Sequence, residues 1–303
     1  MSTVDIGDLQ LRVRGFGEGP PVLLVHGLGS SGDDWAFQIG PLAQHFRLIV
    51  PDLRGCGGSE ATPGHYAIAQ FADDLWRLLD RLQIARPMLV GFSMGGAVTL
   101  EMALQRPDAV ARLATINSLP SYRVDHWRKA LELYVQIGMV HALGMRRTAR
   151  LVGKRLFPHA HQAAMRARVE AVVGSSSPDP YLRCARALAD WCAAERLDRL
   201  ASPLLMLAGE HDYTALEEKR RWAERLGAQL RVVAGSRHGT PFDAIGDCNR
   251  ALIAFLLGQT VPDTLRVDSP AQTPAAPPTL PEEIVLEAAR PASADPSVAP
   301  AYP

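Results

Sequence analysis

What this chain lacks most plainly is charge of one sign: 32 Lys and Arg are offset by 32 Asp and Glu. A balanced chain generates no global field toward nucleic acid or an anionic membrane. No nucleic-acid partner is expected, and a small polar or apolar ligand is. Cysteine is also scarce. Cys56, Cys184, Cys192 and Cys248 are too dispersed for a C-x-x-C zinc or redox site and too few for a disulfide scaffold. No stretch of eighteen apolar residues occurs, and MSTVDIGDLQLRVRG lacks the basic and apolar regions of a signal peptide. These absences set the expectation of a cytoplasmic protein without stable membrane insertion. There is no Walker loop, no G-x-G-x-x-G after a strand and no His/Asp/Glu cluster, so neither cofactor nor metal is expected.

What the chain does have is 47% hydrophobic residues over 303 positions, enough for a sizeable core. Short β-branched or leucine-rich runs at Phe46–Pro51, Pro87–Phe92, Arg112–Asn117, Pro203–Gly209 and Leu230–Ala234 predict buried strands. Leu9–Arg14 and Pro21–His26 suggest an opening hairpin. Between the runs, Ala67–Leu82 and Met94–Gln105 carry helical spacing, as in Phe71, Leu75, Leu78, Leu79 and Leu82. The alternation predicts an α/β domain over 1–258, its mostly parallel sheet covered by helices on both faces. From about 119 to 200 the strands stop and three helical patterns follow one another, which reads as an inserted helical cap. Residues 259–303 change character, since ten of the 23 prolines fall in the last 42 residues. Such a composition predicts an unstructured tail, whose PEEIVLEAA piece is the one expected to form a helical turn or two on meeting a partner of unknown kind.

The stretch LVGFSMGGAV places Gly91-Phe92-Ser93-Met94-Gly95 where a strand gives way to a helix. G-x-S-x-G in that context is a nucleophile elbow, a tight turn that lifts a serine hydroxyl above the sheet edge. A serine needs a base, and the base an orienting acid. His238, in SRHG after one strand, is the candidate base. Asp212, in GEHD after another, is the candidate acid; Glu210 and His211 lie nearer the strand, before the turn has formed. The oxyanion donors would be the backbone amides of Leu28, in His26-Gly27-Leu28-Gly29, and of Met94, which follows the nucleophile. His26 reads as a residue that ties its loop together.

Taken in order, VHGLGSS, PDLRGCGGSE, GFSMGG, GEHD and SRHG resemble the α/β-hydrolase fold superfamily from residue 8 to 258. The resemblance implies the chain order Ser…Asp…His, scaffold roles for Asp52 and Arg54, and a cap that closes the pocket. The acid turn lacks a proline that many relatives carry. Ser93 stands where haloalkane dehalogenases and epoxide hydrolases of this fold use Asp. Substrate-pocket candidates are Trp35 and Phe37 beyond the oxyanion loop, and Trp127 and Trp191 in the cap. The expected activity is hydrolysis of a small to medium carboxylic ester, lactone or thioester through an acyl-enzyme on Ser93. Alternatives with the same triad are C–C bond hydrolysis, enol-lactone hydrolysis and acyl transfer or perhydrolysis; a non-enzymatic alternative is a ligand receptor on this scaffold.

Overall fold

The computed structural model describes residues 2–269, 274, 276–286 and 288. Nine strands form one sheet: β1 (Ser2–Asp5), β2 (Gln10–Phe16), β3 (Pro21–Val25), β4 (Arg47–Pro51), β5 (Met88–Phe92), β6 (Arg112–Ile116), β7 (Leu204–Gly209), β8 (Gln229–Ala234) and β9 (Leu265–Arg266), in spatial order β1-β2-β4-β3-β5-β6-β7-β8-β9. From β4 to β9 all neighbours are parallel, and only β1–β2 and β2–β4 are antiparallel. The central strands β3 to β7 are nearly all apolar and buried because both faces are covered. In β3, Leu23 and Val25 enter the hydrophobic cluster on one face while Val22 and Leu24 enter the cluster on the other, as the two-residue side-chain period requires.

The opening hairpin does not form. β2 pairs with β1 and β4, and β3 pairs with β4 and β5, so β4 slots between the two strands that the sequence pattern joins. The helices are α1 (Ala36–Ala43), α2 (Ile68–Arg81), α3 (Met94–Gln105), α4 (Trp127–Leu156), α5 (Ala163–Gly174), α6 (Pro178–Asp190), α7 (Leu216–Leu226), α8 (Thr240–Asp243) and α9 (Ile245–Leu256). In α2, Phe71, Leu75, Leu78 and Leu79 are fully buried on one stripe, where a helix of 3.6 residues per turn aligns them. α4, α5 and α6 are the cap, inserted between β6 and β7. α4 breaks direction at Gly144, whose φ of 74° and ψ of 168° are cheap only without a Cβ.

The tail does not wholly leave the body. Ile284 forms an antiparallel bridge with Gly15, its amide donating to the Gly15 carbonyl at 2.9 Å. This extends the β2 edge past Val13, the last β2 residue in the β1 register. Leu286 is 4% exposed and joins the core. Apart from the bridge at Ile284, residues 281–286 carry no regular secondary structure, so the part of PEEIVLEAA within the described residues forms no helical turn. The first part of the expected tail is structured as well: β9 (Leu265–Arg266) pairs with β8, and Val261 and Leu265 are buried in the core, because apolar side chains there find the sheet edge; residues 270–273, 275, 287 and 289–303 lie outside the described residues.

Candidate active site

Three strand ends meet above the sheet. Ser93 lies between β5 and α3 with φ 53° and ψ −118°, a conformation costly for a residue with a Cβ and typical of a functional turn. Its flanking glycines are there for want of space: a Cβ on Gly91 would overlap the Gly95 carbonyl, and one on Gly95 would overlap the carbonyls of Val25 and His26. The Ser93 amide donates to Ile116 O of β6 at 2.9 Å, which anchors the turn to the next strand. The serine is 6% exposed.

His238 follows β8 and Asp212 follows β7. His238 Nε2 lies 2.9 Å from Ser93 Oγ, and His238 Nδ1 lies 2.7 Å from Asp212 Oδ1. Because an ionised carboxylate only accepts, Nδ1 carries the imidazole proton and Nε2 keeps its lone pair toward the serine. Asp212 is buried, and its other oxygen accepts from Thr214 Oγ1 at 2.6 Å and from Lys219 Nζ. Burial alone would raise its pKa; attraction from His238 and Lys219 outweighs that and holds the carboxyl well below the usual range. Lys219, with its side chain 1% exposed, is the opposite case. Desolvation lowers its pKa despite the pull of Asp212.

Asn117, at the end of β6 with φ 49°, connects these loops. Its Oδ1 accepts from Gly209 N at 2.7 Å, and its Nδ2 faces His238 O at 2.7 Å, Thr240 Oγ1 at 2.8 Å and Arg237 O at 3.1 Å. One buried amide therefore ties the strand end before Asp212 to the turn that carries His238. Neither Asn117 nor Lys219 stands out in the sequence, where the only signal is a polar residue ending an apolar strand.

The loop after β3 abuts the serine, since a Cβ on Gly27 would come within 3.5 Å of Ser93 Cβ. Buried Asp34 braces this loop by accepting from Gly27 N at 3.0 Å and from Ser30 Oγ at 2.5 Å. Burial pushes the Asp34 carboxyl pKa up. Leu53 N donates to His26 Nε2 at 3.0 Å, leaving Nδ1–H to donate to Gly27 O at 2.8 Å. His26 thus holds two loops together and points no free nitrogen at the serine. The amides of Leu28 and Met94 have no hydrogen-bond partner among the described residues. Asp52 accepts from Gly32 N at 2.7 Å and Gly58 N at 2.8 Å, and Arg54 forks onto Asp74 at 2.7 and 2.6 Å; both pairs brace loops.

The four aromatic pocket candidates lie elsewhere. Trp127 is 65% exposed on the outside of α4. Trp191 is buried against α3, its indole donating to Glu101 Oε2 at 2.8 Å, and Trp35 is fully enclosed in the core. Phe37 packs edge-on to Phe242 at 6.4 Å, and Phe242 in turn meets Phe92 at 6.1 Å; it supports the site from behind. Large aromatics go where most apolar area is covered, and here that is the core. Besides Phe92 of the serine turn, at 5.3 Å from the His238 ring, an aromatic that reaches the site is Tyr213, beside Asp212. Its hydroxyl lies 2.9 Å from His238 Nε2, and its ring centroid is 4.1 Å from the imidazole.

Comparison with known proteins agrees with this architecture. The family model for the α/β hydrolase fold matches residues 20–244. A Caulobacter sp. (strain K31) protein provisionally named carbamate hydrolase RutD is 31% identical over 246 residues, covering 78% of this chain and 91% of that one. Among solved structures, the enol-lactonase from Burkholderia xenovorans LB400 superposes with a TM-score of 0.78 at 25% identity, covering 84% of this chain and 100% of that one. A thermophilic esterase from Thermogutta terrifontis gives 0.73 at 26% identity, covering 82% and 94%. No helix among the described residues is long and apolar enough to cross a membrane. By sequence and by fold, the chain belongs to the α/β hydrolase fold family and is a hydrolase.

Proposed function

We propose that this protein is a serine hydrolase acting on a small to medium carboxylic ester, lactone or thioester. The observation that carries the reading is the hydrogen-bonded line Asp212–His238–Ser93, with the serine held at φ 53°. His238 Nε2 takes the Ser93 proton as Oγ attacks the carbonyl carbon. Asp212 keeps the imidazole in the required tautomer and stabilises the imidazolium. The amides of Leu28 and Met94 receive the oxyanion, and α3 adds its positive N-terminal end at Met94. His238 then protonates the departing oxygen or sulfur. Water deprotonated by the same nitrogen releases the acid and restores Ser93.

The names of the relatives bear on which substrates come first. An enol-lactonase and an esterase among the structural neighbours put lactones and simple esters at the head of a screen. The carbamate name of the sequence relative adds carbamates. Fluorophosphonate labelling with peptide mass spectrometry tests the mechanism. The adduct is expected on the Ser93 peptide of the wild type and absent from Ser93→Ala and His238→Ala. Absence of label both from the folded wild type and from folded variants with a more open site would refute the serine mechanism and favour the receptor reading.

A further inference from the structure

We infer that Tyr213 is a gating residue, holding the site in a resting state by competing with Ser93 for the single lone pair of His238 Nε2. The inference rests on the serine-hydrolase reading and adds a regulation of the same site.

The geometry is specific. With the Nδ1 proton directed at Asp212, Nε2 has one acceptor site. Two hydroxyls lie 2.9 Å from it, Ser93 Oγ and Tyr213 OH. Only one O–H can point along that lone pair, so while Tyr213 donates, Ser93 cannot pass its proton to the base. Burial of the hydroxyl, with negative charge on Asp212 nearby, raises the Tyr213 pKa and keeps it a proton donor at neutral pH.

Position makes the same residue a steric obstacle. The departing oxygen of a substrate, and later the attacking water, must each stand within hydrogen-bond reach of Nε2. Tyr213 OH already stands there. Its ring covers the imidazole face at 4.1 Å, while Ser93 and His238 are each only 6% exposed. The cavities of about 1140 and 920 Å³ elsewhere in the structure have neither residue in their walls.

Solvent leaves the tyrosine a way out of the site. It is 52% exposed, with its inner end in the site and the remainder of its ring toward solvent. The side chain above it comes from the cap: the Arg155 guanidinium of α4 sits 5.4 Å from the ring centroid, a cation–π distance. Arg155 has no ion-pair partner among the described residues. The latch therefore spans core and cap, so rotation of Tyr213 outward both frees the lone pair and parts the cap from the acid turn.

The test is the second-order rate of labelling by a small fluorophosphonate, with melting curves to show that each variant folds. Tyr213→Phe keeps the ring and removes the competing donor. It should label about five-fold faster, the ratio set by losing one ordinary neutral hydrogen bond. Tyr213→Ala also opens the mouth, so its gain should grow with the bulk of the probe, whereas that of Tyr213→Phe should not. Arg155→Gln should speed labelling in the same direction, and Arg155→Lys should restore the wild-type rate.

Folded variants that label at or below the wild-type rate overturn the gate. Slower labelling by Tyr213→Phe would mean that the hydroxyl assists the reaction. Absence of label in the wild type and in every variant would instead refute the nucleophilic role of Ser93, a separate failure. Label in the variants alone would support the gate in its strongest form.

Discussion

Replacing Lys219 by Met tests whether the acid of the proposed triad depends on a second buried cation. Met has similar length, fills the same space and removes only the ammonium. In the native site Asp212 divides its two oxygens, Oδ1 to His238 and Oδ2 to Lys219 and Thr214. Without Lys219 the carboxylate stays buried with the Thr214 hydroxyl as the only donor left on Oδ2. Removing one partner of a buried pair costs about 3–5 kcal/mol; the retained Thr214 bond places the expectation near the low end, about 3 kcal/mol. For a chain of this size that corresponds to a fall in Tm of about 6–12 °C. Hydrolysis should fall by roughly ten-fold, because Asp212 keeps its bond to His238 but is less firmly placed. Denaturant titration and steady-state kinetics measure both effects. The double variant Lys219→Met, Asp212→Asn should be more stable than Lys219→Met alone, since it removes the stranded charge. Stability of Lys219→Met within about 0.5 kcal/mol of the wild type, the range of an inconsequential surface change, would refute the reasoning.

Other parts of the structure make independent predictions. Asp212→Asn strands the buried Lys219 ammonium and so costs stability as well, but in the folded fraction it should lower kcat by about 10⁴, the loss expected when the base is held in the wrong tautomer; a loss below ten-fold in a kinetic assay would place the acid elsewhere. Asp243 accepts from Ser236 Oγ at 2.7 Å, yet burial raises its carboxyl pKa to about 6 from 3.8. Between about pH 4 and 6 the native state then binds more protons than the unfolded one, so this group lowers stability as pH rises, by up to about 3 kcal/mol. Melting curves from pH 4 to 7 should show that decline in the wild type and a flatter profile in Asp243→Asn. The Asp212 contribution has the opposite sign, being present above pH 4 and lost as acid protonates the carboxyl. Gly15→Val would drive a side chain into Leu286 and Ile284, which a Cβ at Gly15 already approaches to 2.8 and 2.9 Å. Limited proteolysis should cut residues 276–286 faster in that variant with activity retained; unchanged cleavage would show that the strap is held by other contacts.

The parts of this fold legible in the sequence are those encoded locally. Strands β3 to β7 are nearly continuous apolar runs because both sheet faces are covered, and the serine turn announces itself through glycines required at fixed offsets. Pairing is a non-local property: Leu9–Arg14 and Pro21–His26 are adjacent in sequence and read as a hairpin, but β4 lies between them in the sheet. β1 and β9, of four and two residues, are too short to carry a periodic signal. The proline-rich tail concealed one apolar piece, Ile284 with Leu286, that finds a free sheet edge.

Within the site, Ser93, Asp212 and His238 each follow a strand and are chemically conspicuous. Asn117 matters because of partners 92 to 123 positions away, whereas Lys219 and Asp34 bond residues within seven positions through loop folds that no local pattern in the chain records. The cap aromatics misled for a physical reason. Helical spacing shows that residues share a face, but not whether that face turns inward, and Trp127 turns out.

The most direct test of the central claim is a single-turnover acylation. Protein at known active-site concentration is mixed with p-nitrophenyl acetate, quenched in acid and analysed by intact and peptide mass. The account predicts a burst of p-nitrophenol stoichiometric with protein and one acetyl group on the peptide containing Ser93, neither of which appears with Ser93→Ala. A burst that survives in Ser93→Ala, or acetyl on another residue, would contradict it.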